Sequence, residues 1–186
     1  MKKIYIIAVV ALLFTSIAYG QEPPETQKPA TKLEAFQDRT GIVVVRGYTT
    51  VGAIRGRGMG SVITVDARDF RDASNLKARQ TGISITVKES GRIERENTAY
   101  IDSDEITSLL AGIDYVSKAT KDITPLTNFE VEYRTKGNFN ITVFNKSGGE
   151  LSAEVSAGYI GNASAFISLP QIIELRQLIL DAKSKI

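Results

Sequence analysis

The feature that most constrains the fold is a strand-to-helix junction that occurs twice, 66 residues apart. Five apolar positions are identical in the two copies: Ala99, Ile101, Ile106, Leu109 and Ile113 in the first, and Ala165, Ile167, Ile172, Leu175 and Ile179 in the second. Three further positions match in type: Tyr100 with Phe166, Asp102 with Ser168, and Glu105 with Gln171. Internal repeats set the architecture, so the chain is predicted to contain a duplicated unit. The alternative is chance, because apolar positions at helical spacing draw on few residue types.

Each predicted unit has four strands before its helix. In the first unit the strands are predicted at 42–45, 62–65, 83–87 and 92–101, with a further short strand near 51–54. The first is a β-branched run typical of a buried strand, and the polar segment 67–80 is predicted as a loop. In the second unit alternating residues indicate strands at 129–133, 139–143, 151–155 and 165–167.

Both units are predicted to end in an amphipathic helix. Asp102 is the expected N-cap of the first helix and Glu105 its third residue; Ser168 and Gln171 take these roles in the second, and Pro170 suits a first turn. The apolar residues recur at three- and four-residue spacing. We therefore predict an α+β domain over residues 41–186, mainly antiparallel, as a tandem ββββα duplication with halves of about 41–121 and 127–186.

The first 20 residues match a secretory signal peptide. Lys2 and Lys3 form a positive start, an uncharged run follows from residue 4 to 17, and small residues precede a predicted cut before Gln21. The alternative, an anchoring transmembrane helix, needs about 20 apolar residues. Cleavage predicts a secreted or periplasmic protein with no membrane span, and the short Lys-Lys start indicates a bacterial source.

Residues 21–40 are predicted to be a linker. Three of the five prolines, Pro23, Pro24 and Pro29, lie here among polar residues, a composition typical of an extended tether. Thr31 and Glu34 have the spacing of a capping box. A short helix that carries Leu33 and Phe36 is therefore expected before the domain.

Composition excludes several kinds of chemistry. The chain has no His, Cys or Trp, which removes Ser-His-Asp and Cys-His catalysis, zinc sites built on His or Cys, and disulfides. The chain has 23 Lys+Arg and 21 Asp+Glu, and loss of Lys2 and Lys3 makes these counts equal. A neutral domain lacks the general attraction that non-specific nucleic-acid binding uses, so nucleic acid is not the expected partner.

Three motifs have a structural and a functional interpretation. The glycine-rich stretch 56–60 has neither the Rossmann nor the Walker spacing, and glycines between strands mark turns. Asp102, Asp104 and Glu105 suit a helix N-terminus; the alternatives are a calcium site or a catalytic acid–base pair. No metal or cofactor site is predicted. The tyrosines and phenylalanines, which also suit a ligand groove, are predicted to pack in the core.

Binding is expected on loops, because loops carry function on a rigid scaffold. The predicted loop 67–80 and the glycine-rich segment 52–60 are the candidates. The residues proposed to line a ligand or partner surface are Arg55, Arg57, Arg68, Phe70 and Arg71.

Two consecutive ββββα units, with the matched junctions given above, resemble the Whirly family of single-stranded nucleic-acid-binding proteins. The resemblance covers about residues 41–186 and rests on element order. It implies two antiparallel sheets and helices that mediate self-association. Export and zero net charge oppose a transfer of the family's activity, and no family residue is assigned to this chain.

The function expected from the sequence is that of an exported, non-catalytic binding or interaction module. Its partner is an unidentified protein or small ligand, and a homo-oligomer fits the resemblance. The alternatives are a protein that binds nucleic acid or another anionic polymer, and an unusual enzyme that uses carboxylates.

Overall fold

The computed structural model describes residues 30–58, 60–146 and 149–186. The predicted signal peptide and most of the predicted linker lie outside these residues. No helix in the described residues is long and apolar enough to cross a membrane. The elements in chain order are α1 (Lys32–Gln37), β1 (Val44–Arg55), β2 (Val62–Asp72), β3 (Asn75–Glu89), β4 (Arg95–Asp102), α2 (Ile106–Val116), a 3₁₀ turn (Lys121–Ile123), β5 (Glu130–Arg134), β6 (Phe139–Asn145), β7 (Leu151–Ala157), β8 (Ala163–Ile167) and α3 (Leu169–Lys183).

The strands form two antiparallel sheets in simple meander order. Sheet 1 has the order β1-β2-β3-β4 and sheet 2 the order β5-β6-β7-β8. Each sheet is followed by a helix, which confirms the predicted α+β fold and the tandem ββββα arrangement. The sheets pack on each other mainly through β3 against β7 and β8. We call β1–β4 with α2 unit 1, and β5–β8 with α3 unit 2.

The two units exchange their helices. Helix α2 of unit 1 packs against β5 and β6 of unit 2, and α3 packs against β1 and β2 of unit 1. Gly112 and Leu178 occupy matching positions, 66 residues apart, in the two helices. A Cβ at Gly112 would overlap the Tyr133 ring, and a Cβ at Gly52 would lie 2.6 Å from Leu178. In the first contact the glycine is on the helix and the large side chain, Tyr133, is on the strand. In the second contact the large side chain, Leu178, is on the helix and the glycine is on the strand.

The first turn of each unit also contacts the strand-to-helix junction of the other. The Gly137 backbone lies against Tyr100, and the Lys136 N–H donates to Glu105 Oε1 at 2.8 Å. In the reverse direction, the Arg57 N–H donates to the Phe166 carbonyl at 2.6 Å. Gln171 Nε2 donates to the Arg55 carbonyl at 2.7 Å. Because Glu105 and Gln171 occupy matching repeat positions, each junction makes a related contact with the opposite unit.

The segment 67–80 is a hairpin, so its prediction as a loop is wrong. Strand β2 continues to Asp72 and β3 begins at Asn75. The hairpin extends beyond Gly82, the first residue of β3 that pairs with β4, and the face opposite to Phe70 carries polar side chains. Asp69 illustrates this, because Arg71 and Arg79 both donate to its carboxylate, at 2.6 and 2.8 Å. The charges that suggest a loop pair with one another along β2, as Arg71 does with Asp69, and across to β3, as Asp69 does with Arg79.

Strand β1 is a long edge strand. The predicted short strand at 51–54 belongs to it, after a register shift between Thr50 and Gly52. The prediction of a buried strand at 42–45 is also wrong, because Val43 and Val45 are 69% and 49% exposed. Their β-branched side chains favour extended backbone, and β1 begins at Val44, but no other described element covers this part of the sheet.

The first repeat helix begins later than predicted. Asp102 is the last residue of β4, and α2 starts at Ile106 with no side-chain cap. The Asp102 carboxylate instead accepts hydrogen bonds from the backbone N–H groups of Lys32 and Leu33, at 2.8 and 3.0 Å. Asp102 thus satisfies the first turn of α1, a role that its neighbours in sequence do not indicate. In α3 the predicted capping box of Ser168 and Gln171 is confirmed.

Helix α1 lies on the outer face of sheet 1. Its predicted capping box, Thr31 with Glu34, is confirmed. Leu33 is fully buried and sits over Gly82, where a Cβ would lie 2.6 Å from the leucine Cδ1. Because Gly82 has no side chain, Leu33 can pack directly against the backbone of the sheet.

Candidate functional site

The outer face of sheet 2 forms a polar concavity. It corresponds to the face of sheet 1 that α1 occupies, and no described element covers it. We call it the open face, and define it by these residues: Glu130, Glu132, Arg134, Asn140, Thr142, Phe144, Lys146, Glu154, Ser156, Asn162 and Phe166. Strand alternation produces it, because the intervening residues, such as Ile141 and Val155, are fully buried between the sheets.

One cross-strand row spans all four strands of the open face. Glu132 pairs with Thr142, Thr142 with Glu154, and Glu154 with Phe166. Since neighbouring strands are about 4.8 Å apart, the backbones of Glu132 and Glu154 are separated by about 10 Å. The row therefore places a hydroxyl between two carboxylates, with an aromatic ring at one end.

Phe166 of this row forms an aromatic pair with Phe144. The rings of Phe144 and Phe166 meet edge to face, with centroids 6.4 Å apart at 68°. Phe166 is 45% exposed, which is high for a large apolar side chain on a sheet. The Lys146 ammonium lies 6.0 Å from the Phe166 ring centroid. The open face thus offers an apolar platform within a polar surround.

The polar groups of the open face are only partly engaged. Arg134 forms an ion pair with Glu132 at 3.0 Å, and Asn140 Nδ2 donates to Ser156 Oγ at 3.3 Å. Asn140 Oδ1 is buried and has no hydrogen-bond partner among the described residues. Buried polar atoms are nearly always paired with protein or water, so this oxygen needs a donor that the described residues do not supply.

A smaller cleft adjoins the open face at β8. Its lining consists of Arg57, Gly58, Ser61, Glu89, Ser90, Ser164, Ala165 and Phe166. Phe166 lines both concavities, and Arg57 approaches it from the β1–β2 turn of unit 1. Of the residues proposed from the sequence, Arg57 is therefore the one that lies next to the open face.

The other proposed site residues do not come together. Arg55 is exposed at one end of β1, opposite Val62, whereas Arg71 lies opposite Val45. The positions on β2 are about nine residues apart, which corresponds to about 30 Å. Phe70 is 1% exposed and packs edge-on against Tyr100, with centroids 6.1 Å apart, so it belongs to the interior and not to a binding surface.

Arg68 and Arg71 are held by acidic neighbours on the sheet. Arg68 donates to Asp66 and Ser84, each at 2.7 Å, and lies over the Tyr48 ring at 5.0 Å. Arg71 donates to Asp69, and this hydrogen bond raises the pKa of Arg71. Both guanidinium groups therefore donate hydrogen bonds to side chains of the sheet itself.

The predicted carboxylate cluster has structural partners. Lys32 lies 2.6 Å from Asp104 and its hydrogen bond lowers the pKa of that carboxyl, while Asp102 binds the start of α1. Glu105 Oε1 accepts from Lys136, but its Oε2 is buried without a partner among the described residues. No group of three potential metal-ligating side chains is found in the described part of the chain.

The open face was not among the surfaces predicted from the sequence. Phe166 matches Tyr100 in the repeat, and the sequence favours core packing for most of the aromatic residues, with a ligand groove as the alternative. The available signal was the alternation of Glu130, Glu132 and Arg134 with Val131 and Tyr133, which marks a solvent-facing strand side. The alternation does not indicate that α1 packs on the outer face of sheet 1 but leaves the outer face of sheet 2 uncovered.

No model of a known protein family matches this chain. No curated protein matches it either. The assignment of a function therefore depends on the geometry of the open face.

Proposed function

We propose that this chain is an exported, non-catalytic binding module, and that its ligand or partner binds at the open face. The observation that carries the proposal is the exposure of Phe166. This residue is 45% exposed and lies beside Phe144 on the open face, whose other residues are polar. An aromatic centre with a polar rim is typical of binding surfaces. Asn140 Oδ1, buried and without a partner among the described residues, supports the same location.

The comparison of the two units supports the choice of sheet. In unit 1, α1 packs on the outer face over β2, β3 and β4, with Leu33 fully buried against it. In unit 2 the matching face holds an aromatic pair and has no covering element among the described residues. The same scaffold thus presents one face occupied by its own chain and one that is open to a ligand.

The proposed setting is outside the cytoplasm, either secreted or periplasmic, in a bacterium. Residues 1–20 support it through their charged start, uncharged run and small residues before Gln21. A Whirly-like fold and a homo-oligomer remain proposals that rest on element order alone.

Native mass spectrometry of protein recovered from the exporting compartment tests the function. We expect a bound mass on the wild type, retained in Ile173→Ser and lost in Phe166→Ser. Ile173 is the matched control because it is an apolar residue, 54% exposed, on α3. A bound mass that persists in Phe166→Ser, or a wild type that carries nothing, would contradict a ligand site on the open face.

A further inference from the structure

The chemistry of the open face indicates what kind of ligand it selects, and this step rests on the proposed function. The face carries three carboxylates, Glu130, Glu132 and Glu154, within one sheet surface. In the described chain, Glu132 is paired with Arg134, whereas no ion pair or side-chain hydrogen bond involves the carboxylates of Glu130 and Glu154. Ionised carboxylates only accept hydrogen bonds, so these two groups are available to a ligand that donates.

The aromatic rings favour the same ligand chemistry. The face of an aromatic ring attracts a cation within about 6 Å of its centroid. Lys146 already places its ammonium 6.0 Å from the Phe166 ring, so the chain itself shows that this ring accepts an alkylammonium. Glu154 is the direct cross-strand partner of Phe166, which places a carboxylate next to the ring.

The two cations of the open face do not form an anion site. Arg134 is committed to Glu132 at 3.0 Å, and Lys146 lies over the Phe166 ring. An anionic ligand would approach Glu130 and Glu154, and like charges in proximity are unfavourable. The charge pattern therefore favours a cationic ligand over an anionic one.

We propose that the open face binds primary alkylammonium groups, with the ammonium between Glu154 and the Phe166 ring and the methylene chain on Phe144. Lys146 occupies part of this position in the unbound chain and is displaced when the ligand binds. The shared chemistry is that of a free alkyl diamine and of a lysine side chain.

Calorimetric titration of the full mature chain with 1,5-diaminopentane and with Nα-acetyl-lysine methylamide tests the proposal. We expect Glu154→Gln and Phe166→Leu each to weaken binding by about threefold to fivefold, the range for one exposed ion pair or one cation–π contact. Lys146→Ala is expected to strengthen binding, because it removes the competing ammonium. Glu174→Gln, a change at an exposed carboxylate on α3, is the matched control and should have no effect.

The outcomes distinguish a failure of the alkylammonium proposal from a failure of the proposed binding function. Binding of the diamine would show that a free alkyl amine is enough to occupy the open face. Binding of the lysine amide alone would show that the ligand is a lysine side chain of a partner protein. If neither probe binds, or if Lys146→Ala weakens binding, the alkylammonium proposal is overturned. In that case a bound mass that Phe166→Ser removes would leave the open face as a site for another class of ligand, whereas its absence would overturn both proposals.

Discussion

At the scale of single residues, glycines decide how closely the exchanged helices approach the sheets. Gly112 lies in α2, where alanine would ordinarily be favoured by about 1 kcal/mol through helix propensity. In this chain its missing side chain makes room for the Tyr133 ring. Contact with the ring should therefore outweigh the gain in propensity.

We predict that Gly112→Ala lowers the free energy of unfolding by about 1–3 kcal/mol, the usual cost of overpacking. In a Tyr133→Ala background the same change should instead raise it by about 1 kcal/mol, because only the propensity remains. Urea denaturation of the four proteins of this double-mutant cycle measures both effects. A stabilising effect of Gly112→Ala with Tyr133 present would show that the helix does not approach β5 as described.

Asp102 is the second residue whose role is set by a distant segment. Its carboxylate accepts from two N–H groups of α1, 70 and 69 residues away in sequence. Removal of the carboxylate leaves both donors without this partner, at a cost of about 1–3 kcal/mol for buried groups. The helix should then separate from the sheet before the rest of the fold opens.

We predict that Asp102→Ala accelerates amide hydrogen exchange at Leu33 far more than at Ile141, which is fully buried between the sheets. Asp104→Ala is the control, because its ion pair with Lys32 is more than half exposed on both sides and such pairs contribute about 0–1 kcal/mol. Equal protection of Leu33 in Asp102→Ala and wild type would refute the docking role of Asp102.

At the scale of elements, one ion pair joins the two repeat helices. Arg176 of α3 donates to both Asp114 oxygens of α2, at 2.6 and 2.9 Å. The Arg176 hydrogen bond lowers the pKa of Asp114 below its usual range. A carboxyl whose pKa is depressed in the folded state stabilises the fold above its unfolded pKa, near 3.9, and loses that contribution as the pH falls through the folded value.

We predict that Asp114→Asn destabilises the protein only slightly at neutral pH, since the Asp114 side chain is 42% exposed and solvent screens the pair. The difference between variant and wild type should shrink below about pH 4 and should also shrink in high salt. Thermal unfolding across pH 3 to 7, with and without salt, measures it. A difference that grows on acidification would contradict a depressed pKa of Asp114 in the folded protein.

The sequence predicts a structural feature well when the residues that determine it are neighbours in the chain, and poorly when its partners are distant in sequence. The strands of unit 2 and the capping box of Ser168 were predictable, because alternation and capping involve neighbouring residues. The hairpin at 67–80 was not, because its charges are neutralised across strands, as with Asp69 and Arg79. Asp102 was assigned to the wrong helix for the same reason, since its partners lie about 70 residues upstream.

At the scale of the whole molecule, each half of the chain completes the other. Helix α2 covers sheet 2, α3 covers sheet 1, and each first turn contacts the opposite junction through Gly137 or Arg57. The covalent connection between the halves runs through residues 117–129. Leu126 in that segment is 71% exposed, so the backbone there contributes little to the core.

We predict that cutting this connection leaves the halves associated. A protease site inserted between Pro125 and Leu126 should be cleaved readily, because exposed segments are the preferred sites of proteolysis. The two fragments should then co-elute as one species on gel filtration and separate only in denaturant, since the exchanged helices keep the apolar surfaces of both sheets buried. The same insertion left uncut is the control for its effect on stability. Fragments that separate under native conditions would mean that the helix exchange does not hold the units together, and that the connection itself is needed to keep the sheets packed.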